Sequence, residues 1–374
     1  MRLQTRLHTA PLSVSATIYD IAERADVSTA TVSRVFNDGS EVSEETRQRV
    51  LEAAEALNYQ PHASAQNLAR EHTNQIAVVA PVVANHFYMH VIRGIQHVLA
   101  EQGMDLMVHA PANPQGRIHE QLDQELLDTH MARALQPGRS DGILLLSMPL
   151  TDEWAERLAD TGQAVVLVDA EHPAFESLSV DSKNGGYEAT QHLIDQEYER
   201  IGHITVEYDP PPARLRREGY KQALRENGRS VNEQLIAESD ERPFAFSEKG
   251  GYRAMNALLE QESPPDAVFA ASDMQALGAM RAIQEAGLHV PDDIALVGFD
   301  DIELSRCAGL TTLRQPARTM GGRAAENLLR RIDTPGDSPV SNTVFSPELV
   351  VRQTCGAQSG TQGASVGLPL KTTS

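Results

Sequence analysis

From Asn74 onward, short, mostly apolar runs alternate with longer amphipathic segments, and this limits the fold more than any other feature. The runs lie at 76–80, 105–110, 142–147, 164–169, 201–206, 266–271 and 294–299. A run that is apolar at nearly every position suits a strand covered on both faces. Helical periodicity occupies 87–101, 115–135, 152–160, 187–196, 214–227, 250–260 and 274–286, with a further strand near 178–181. Strand–helix–strand order is that of a parallel sheet with right-handed crossovers. Two consecutive arrays of this kind predict two lobes. A helix over 318–331 and one strand near 343–351 close the series. Gly185-Gly186-Tyr187 and Gly250-Gly251-Tyr252 each open a helix, read here as helix-start chemistry rather than a repeat.

The first 73 residues have another texture. Residues 1–16 show no periodicity and read as a disordered leader, as does the Gly/Ser/Thr-rich tail 356–374. Ile18, Ile21, Ala22 and Ala25 recur at helical spacing, Asp26-Val27 breaks the pattern, and Ser28 takes an N-cap position for a second helix. Asn37-Asp38-Gly39-Ser40 is a turn, and a third helix begins at Ser43. Ile21, Ala22, Val27, Val32, Val35, Val50 and Leu57 are its candidate core. Three short helices with a tight break between the first two form a helix-turn-helix candidate over 17–60. An inert helical bundle has the same pattern. Residues 61–73 read as a linker or a short helix.

Composition narrows the function. The 374 residues carry a formal charge of −20, and lysine occurs only at Lys183, Lys221, Lys249 and Lys371. A salt-rich cytoplasm or an ordinary acidic, arginine-biased surface accounts for this equally. Either way the bulk charge argues against non-specific affinity for nucleic acid or anionic lipid. No apolar stretch is long enough to span a bilayer. Cys307 and Cys355 are too few for a disulfide scaffold. With no apolar signal-peptide core, the expected location is cytoplasmic, which also argues against a secreted solute-binding protein. His86 and His90 have zinc-ligand spacing but no third ligand or adjacent Glu, and no phosphate-cradling loop is present. No catalytic residues, no metal and no cofactor are therefore assigned, and the chain does not read as an enzyme.

The motif Thr17-Ile18-Tyr19-Asp20-Ile21-Ala22, then Val27-Ser28-Thr29-Ala30-Thr31-Val32-Ser33-Arg34-Val35-Phe36-Asn37 and Leu57-Asn58-Tyr59-Gln60-Pro61, resembles the lactose-repressor (LacI/GalR) family of transcription regulators. Downstream, Ser272-Asp273-Met274-Gln275-Ala276-Leu277-Gly278, Val297-Gly298-Phe299-Asp300-Asp301 and Leu310-Thr311-Thr312-Leu313-Arg314-Gln315-Pro316 match as well. The resemblance implies an all-α helix-turn-helix headpiece (17–60), a hinge helix (61–73) and a two-lobed periplasmic-binding-protein-like α/β core (74–355). The chain would cross between lobes near Ser177, Thr312–Pro316 and Ser341, giving lobe 1 as 74–176 plus 317–341 and lobe 2 as 177–313 plus 342–355.

The same resemblance implies a homodimeric repressor of carbohydrate genes, with a small molecule held between the lobes. Matching effector positions are Asn85, Phe87, Tyr88, Asp169, Arg216, Phe246, Ser272, Asp273 and Asp300. Several acids around one arginine favour a sugar, since carboxylates only accept hydrogen bonds and guanidinium only donates. A structural Arg216–Asp300 ion pair is the plainer reading of those two residues. The chain departs from the family where Glu197-Tyr198 replaces the usual Gly-His before the strand at 201, and in the glycine-free loop 207–212. Effector identity therefore does not transfer. Control by a phosphoprotein partner or a non-sugar co-repressor is the alternative.

On DNA, the second helix would enter the major groove of a palindromic operator. Thr29 and Ala30 hold the family's specificity positions, Arg34 can read guanine, and Asn37 ends the helix. Thr17, Tyr19, Ser28, Thr31 and Ser33 suit phosphate contacts, which position without specifying. Leu68 matches the minor-groove wedge, and Ala65 permits the close approach of two hinge helices. Residues 17–70 carry five cations against nine anions, a net −4 in a segment that is usually basic. The salt slope of binding scales with the phosphates neutralised. Operator affinity measured across a salt series should therefore fall with a shallow slope. A slope as steep as about −10, the figure for the lactose repressor, would contradict this.

Overall fold

The computed structural model describes residues 16–36, 42–59, 73–81, 85–110, 129, 131–136, 138–148, 150–207, 210–239, 246–335 and 340–357. They fall in two compact units, one reaching to Thr73 and one beginning at Asn74. The leader up to residue 15, Asn37, the hinge helix with Ala65 and Leu68, most of the helix expected at 115–135, and the tail beyond 357 lie outside the described residues.

The first unit contains α1 (Ile18–Ala25), α2 (Thr29–Phe36) and α3 (Glu44–Ala56). Thr17 and Asp20 form a reciprocal capping box at the start of α1. Asp26 ends α1 in the left-handed region, φ 51°, a conformation a short polar side chain tolerates. Ser43 caps α3 through the amide of Thr46. Ile21, Val32 and Val50 are fully buried where the three helices meet, whereas Val27 and Leu57 only border that core.

The second unit holds two six-stranded sheets. In chain order the strands are β1 (Gln75–Val79), β2 (Asp105–His109), β3 (Gly142–Leu146), β4 (Ala164–Val168), β5 (Glu176–Val180), β6 (Ile201–Val206), β7 (Ile236–Ser239), β8 (Ala267–Ala270), β9 (Ala295–Asp300), β10 (Thr311–Arg314), β11 (Asn342–Phe345) and β12 (Glu348–Val350). The helices are α4 (His86–Glu101), α5 (Asp152–Asp160), α6 (Ser182–Asp195), α7 (Pro211–Glu226), α8 (Glu248–Leu259), α9 (Asp273–Glu285), α10 (Glu303–Cys307) and α11 (Ala317–Asp333). The first sheet runs β11-β5-β4-β3-β1-β2 and the second β12-β10-β9-β8-β6-β7; only β12 is antiparallel to its neighbour. Both faces of each sheet are covered. Ile76, Val78, Leu144 and Leu146 pack with residues of α4 and α11, while Ala77, Val79, Ile143 and Leu145 pack with Trp154 and Leu158 of α5. This explains strands with no polar alternation.

Three expectations need correction. β5 pairs with β4 in the first sheet, so the first crossing is at Asp181 rather than near Ser177. The strand expected near 343–351 is two strands: β11 joins β5 in the first sheet and β12 joins β10 in the second. The last crossing is therefore Ser346-Pro347, not Ser341. β7, an edge strand on β6, is not among the strands the sequence predicts, because Ile236-Ala237-Glu238-Ser239 is too short and too polar to stand out.

Where the family carries glycine, Glu197 adopts φ 66° just past the end of α6, its amide bonding to the carbonyl of Ile194 at 2.9 Å. A Cβ in this left-handed region is disfavoured by roughly 1–2 kcal/mol. The paired glycine motifs also prove to be more than helix starts. A Cβ on Gly186 would stand 2.2 Å from the carbonyl oxygen of Arg216, and one on Gly219 2.0 Å from that of Lys183. Gly251 and Gly278 make the equivalent contacts between α8 and α9, and Gly94 and Gly321 between α4 and α11. Each helix pair meets backbone to backbone.

Two outcomes follow for urea unfolding. Glu197→Gly should raise stability by about 1 kcal/mol, seen as a higher midpoint at unchanged slope. Gly186→Ala should lower it by roughly 1–3 kcal/mol, because the obstacle is main chain and cannot rotate away.

Candidate DNA-reading face and effector cleft

On the headpiece, Tyr19, Ser28, Ala30 and Arg34 are exposed and Thr29, Thr31 and Ser33 half-buried, around the start and outer face of α2. Ser28 accepts the amide of Thr31 at 3.1 Å, and their hydroxyls lie 2.9 Å apart, so Ser28 sets the first turn of α2. Thr17 departs from expectation. Its hydroxyl donates to Asp20 Oδ2 at 2.7 Å, which leaves it without a free proton for phosphate. That bond, with a second from the Thr17 amide, holds the Asp20 carboxyl below its ordinary range.

Within the second unit, a cleft of ≈170 Å³ brings together Phe87 and His90 from α4, Asp300 at the end of β9 with Asp301 and Ile302, and the run Arg314–Thr319 from the end of β10 into α11. Phe87 and Asp300 thus meet from different lobes. Asn85 caps α4, its Oδ1 accepting the amides of Phe87 at 2.8 Å and Tyr88 at 3.3 Å. It fixes the aromatic pair, whose rings lie 5.8 Å apart. Tyr88 packs on the first-sheet core and Phe246 on Val206 and Ala213; neither lines the cleft among the described residues.

Arg216 in α7 is 5% exposed. Its guanidinium carbon stands 3.7 Å from the Phe299 ring centroid, and Nη1 donates to the carbonyl of Ala271 at 2.7 Å. Nε is buried and has no partner among the described residues. Burial lowers its pKa, while the fields of Asp300, Asp169 and Asp273 oppose the shift. Asp169 follows β4 in the left-handed region, φ 55°, and accepts the Ser147 hydroxyl at 2.6 Å; burial raises its pKa.

The remaining aspartates divide their work. Asp273 is fully buried and accepts from Ile302 N at 2.9 Å, Ser305 Oγ at 2.5 Å and Thr312 Oγ1 at 2.5 Å. It ties the start of α9 to Ile302 after β9, to Ser305 of α10 and to Thr312 of β10, so its expected role as an effector contact is corrected to an anchor. Ser272 is likewise buried and caps α9 through the amide of Gln275. Asp301 bonds Arg314 and Arg352. Asp300 ends β9 at φ 124°, and its pKa is pushed up to about 7 by burial, opposed by Arg216. No direct Arg216–Asp300 ion pair forms among the described residues; the two groups interact only through their fields.

Two residues escaped the sequence reading. Gln315 donates from Nε2 to Asp300 Oδ1 at 2.5 Å; an uncharged residue before a proline gave no chemical signal of its own. His90, which the sequence marks only by its spacing from His86, lines the cleft, with Nε2 3.5 Å from Glu303 Oε2, while Arg93 Nη1 reaches Glu303 Oε1 at 3.2 Å. No group of three metal-ligating side chains is found among the described residues, and no described helix is long and apolar enough to cross a membrane.

Residues 17–62 match the family model for bacterial regulatory proteins of the lacI family, and residues 190–355 that for a periplasmic binding protein-like domain. The HTH-type transcriptional repressor PurR of Aliivibrio salmonicida (strain LFI1238) is 34% identical over 345 residues, 90% of this chain and 98% of the relative. The chain belongs to the lacI family of bacterial regulatory proteins. Among lacI-family structures, the Lac repressor dimer bound to operator and the anti-inducer ONPF aligns with a TM-score of 0.74 at 29% identity, covering 91% of this chain and 99% of that one. The regulator CelR in complex with cellobiose aligns at 0.65, with the same identity and coverage. This chain is accordingly a DNA-binding transcriptional repressor that responds to a small-molecule effector, in a family of regulators rather than enzymes.

Proposed function

We propose that the effector is a neutral sugar held between the lobes, and that the protein acts in the cytoplasm as a homodimer on a palindromic operator of carbohydrate-metabolism genes. One observation carries the sugar reading: the buried, unpartnered Nε of Arg216, set in the field of Asp169, Asp300 and Asp273. A buried donor without an acceptor is costly, so a ligand oxygen is the natural partner. Asp169 and Asp300 offer acceptors to that ligand's hydroxyls. A phosphate would meet carboxylates it cannot bond, whereas a polyol both donates and accepts. Phe87 supplies an apolar wall for a ring face. The cellobiose complex of a structural relative supports this choice.

The DNA reading rests on Thr29 and Ala30 at the start of α2, the exposed Arg34 in its last turn, and the exposed Tyr19 of α1. The operator-bound dimer among the relatives supports two-fold assembly on a symmetric site.

Calorimetric titration with cellobiose, a free nucleobase and inorganic phosphate tests the effector class. Cellobiose should bind and the other two should not. Arg216→Lys keeps the charge but removes Nε, and should weaken binding about tenfold or more. Heat from the nucleobase alone would replace the sugar with a non-sugar co-repressor.

A further inference from the structure

Gln315 is 8% exposed and follows β10, immediately before Pro316 and α11. It therefore occupies the passage from the second sheet to the helix packed on the first. Its Nε2 reaches Asp300 Oδ1 at 2.5 Å. The neighbouring acids are already engaged: Asp301 by Arg314 and Arg352, Asp273 by Ile302, Ser305 and Thr312. Asp300 Oδ2 has no protein donor among the described residues.

We infer that Gln315 is a positioning residue for the effector, holding one oxygen of Asp300 so that the other faces the ligand. The inference rests on the reading of Asp300 as an effector contact. Because Gln315 sits on the passage between lobes, the same bond ties the orientation of that carboxylate to their arrangement.

The proton balance makes the idea testable. Burial pushes Asp300 up to about 7, with Asp273 and Asp169 raising it and Arg216 and the Gln315 bond lowering it. His90 from α4 and Arg318 from α11 line the same cleft. A carboxylate near its midpoint at neutral pH depends on each donor that favours its ionised form. Removing the Gln315 donor by Gln315→Leu should raise the midpoint. At pH 7 the ionised fraction then falls, so a ligand that needs the carboxylate binds severalfold more weakly. Near pH 9 both forms are mostly ionised, and the difference should nearly vanish.

The test has two arms on the full-length protein. In the first, carbon-13 NMR of carboxyl-labelled aspartate follows the Asp300 titration, identified by its loss in Asp300→Asn, in the parent and in Gln315→Leu. Gln315→Met serves if Leu does not fold. The midpoint should rise; an unchanged midpoint overturns the inference. In the second, cellobiose affinity is compared at pH 7 and pH 9. A loss confined to pH 7 supports positioning of the carboxylate, and an equal loss at both pH values overturns it. Failure of the sugar reading looks different: cellobiose does not bind the parent protein, while the NMR midpoint still moves.

Discussion

Three pairs of helices in the second unit touch main chain to main chain, and the cleft depends on those contacts. At the glycines of α6–α7, α8–α9 and α4–α11 there is no room for a single methyl group. Close approach fixes the axial position of each helix against its partner, since the contact atoms are carbonyls and amides rather than adaptable side chains. Each pair also carries one of the residues singled out above, of which Phe87 lines the cleft. Arg216 sits where α7 meets Gly186, Asp273 opens α9 beside Gly251, and Phe87 opens α4, which Gly94 and Gly321 lock to α11. A helix sliding by one residue would move its group by about 1.5 Å, more than a hydrogen bond tolerates.

Around the cleft, one residue type performs three tasks. Asp273 is saturated by three donors and acts as an internal tie. Asp301 is held low by two guanidiniums despite its burial. Asp300 retains an oxygen with no protein partner among the described residues, and burial pushes its pKa up to about 7. Nothing in the aspartate side chain distinguishes them. The donors delivered by β10, α10 and the segment after β12 do, and those donors come from positions far apart in sequence.

That separation marks the limit of what the sequence discloses. The headpiece is legible because its signals are local: a cap at Ser28, a break at Asp26-Val27, an apolar stripe within a few residues. The covered strands are legible for the same reason. β11 and β12 are not, because membership of a sheet is decided by partners more than 150 residues earlier or by β10, while the intervening Ser346-Pro347 looks like ordinary loop. Arg216, Phe87 and Asp300 can be proposed from motif positions, yet Asp273 shares its motif with Ser272 and faces inward. Gln315 has no charge to attract notice. The glycine pairs are visible in sequence, but their purpose is not, since a glycine needed for a turn and one needed for a neighbouring backbone are written identically. Glu197 is the converse case: a residue the left-handed region disfavours occupies it anyway, held by the helix-end bond to Ile194.

The lobes are joined by little chain, with Asp181, Gln315-Pro316 and Ser346-Pro347 as the whole of the three connections. Proline fixes its own φ and narrows the choices of the residue before it. Two of the three tethers therefore have few torsions to contribute. Any opening of the clamshell has to swivel about an axis drawn through these short bridges, with Asp181 supplying most of the freedom, so the lobes can twist or tilt but cannot drift apart.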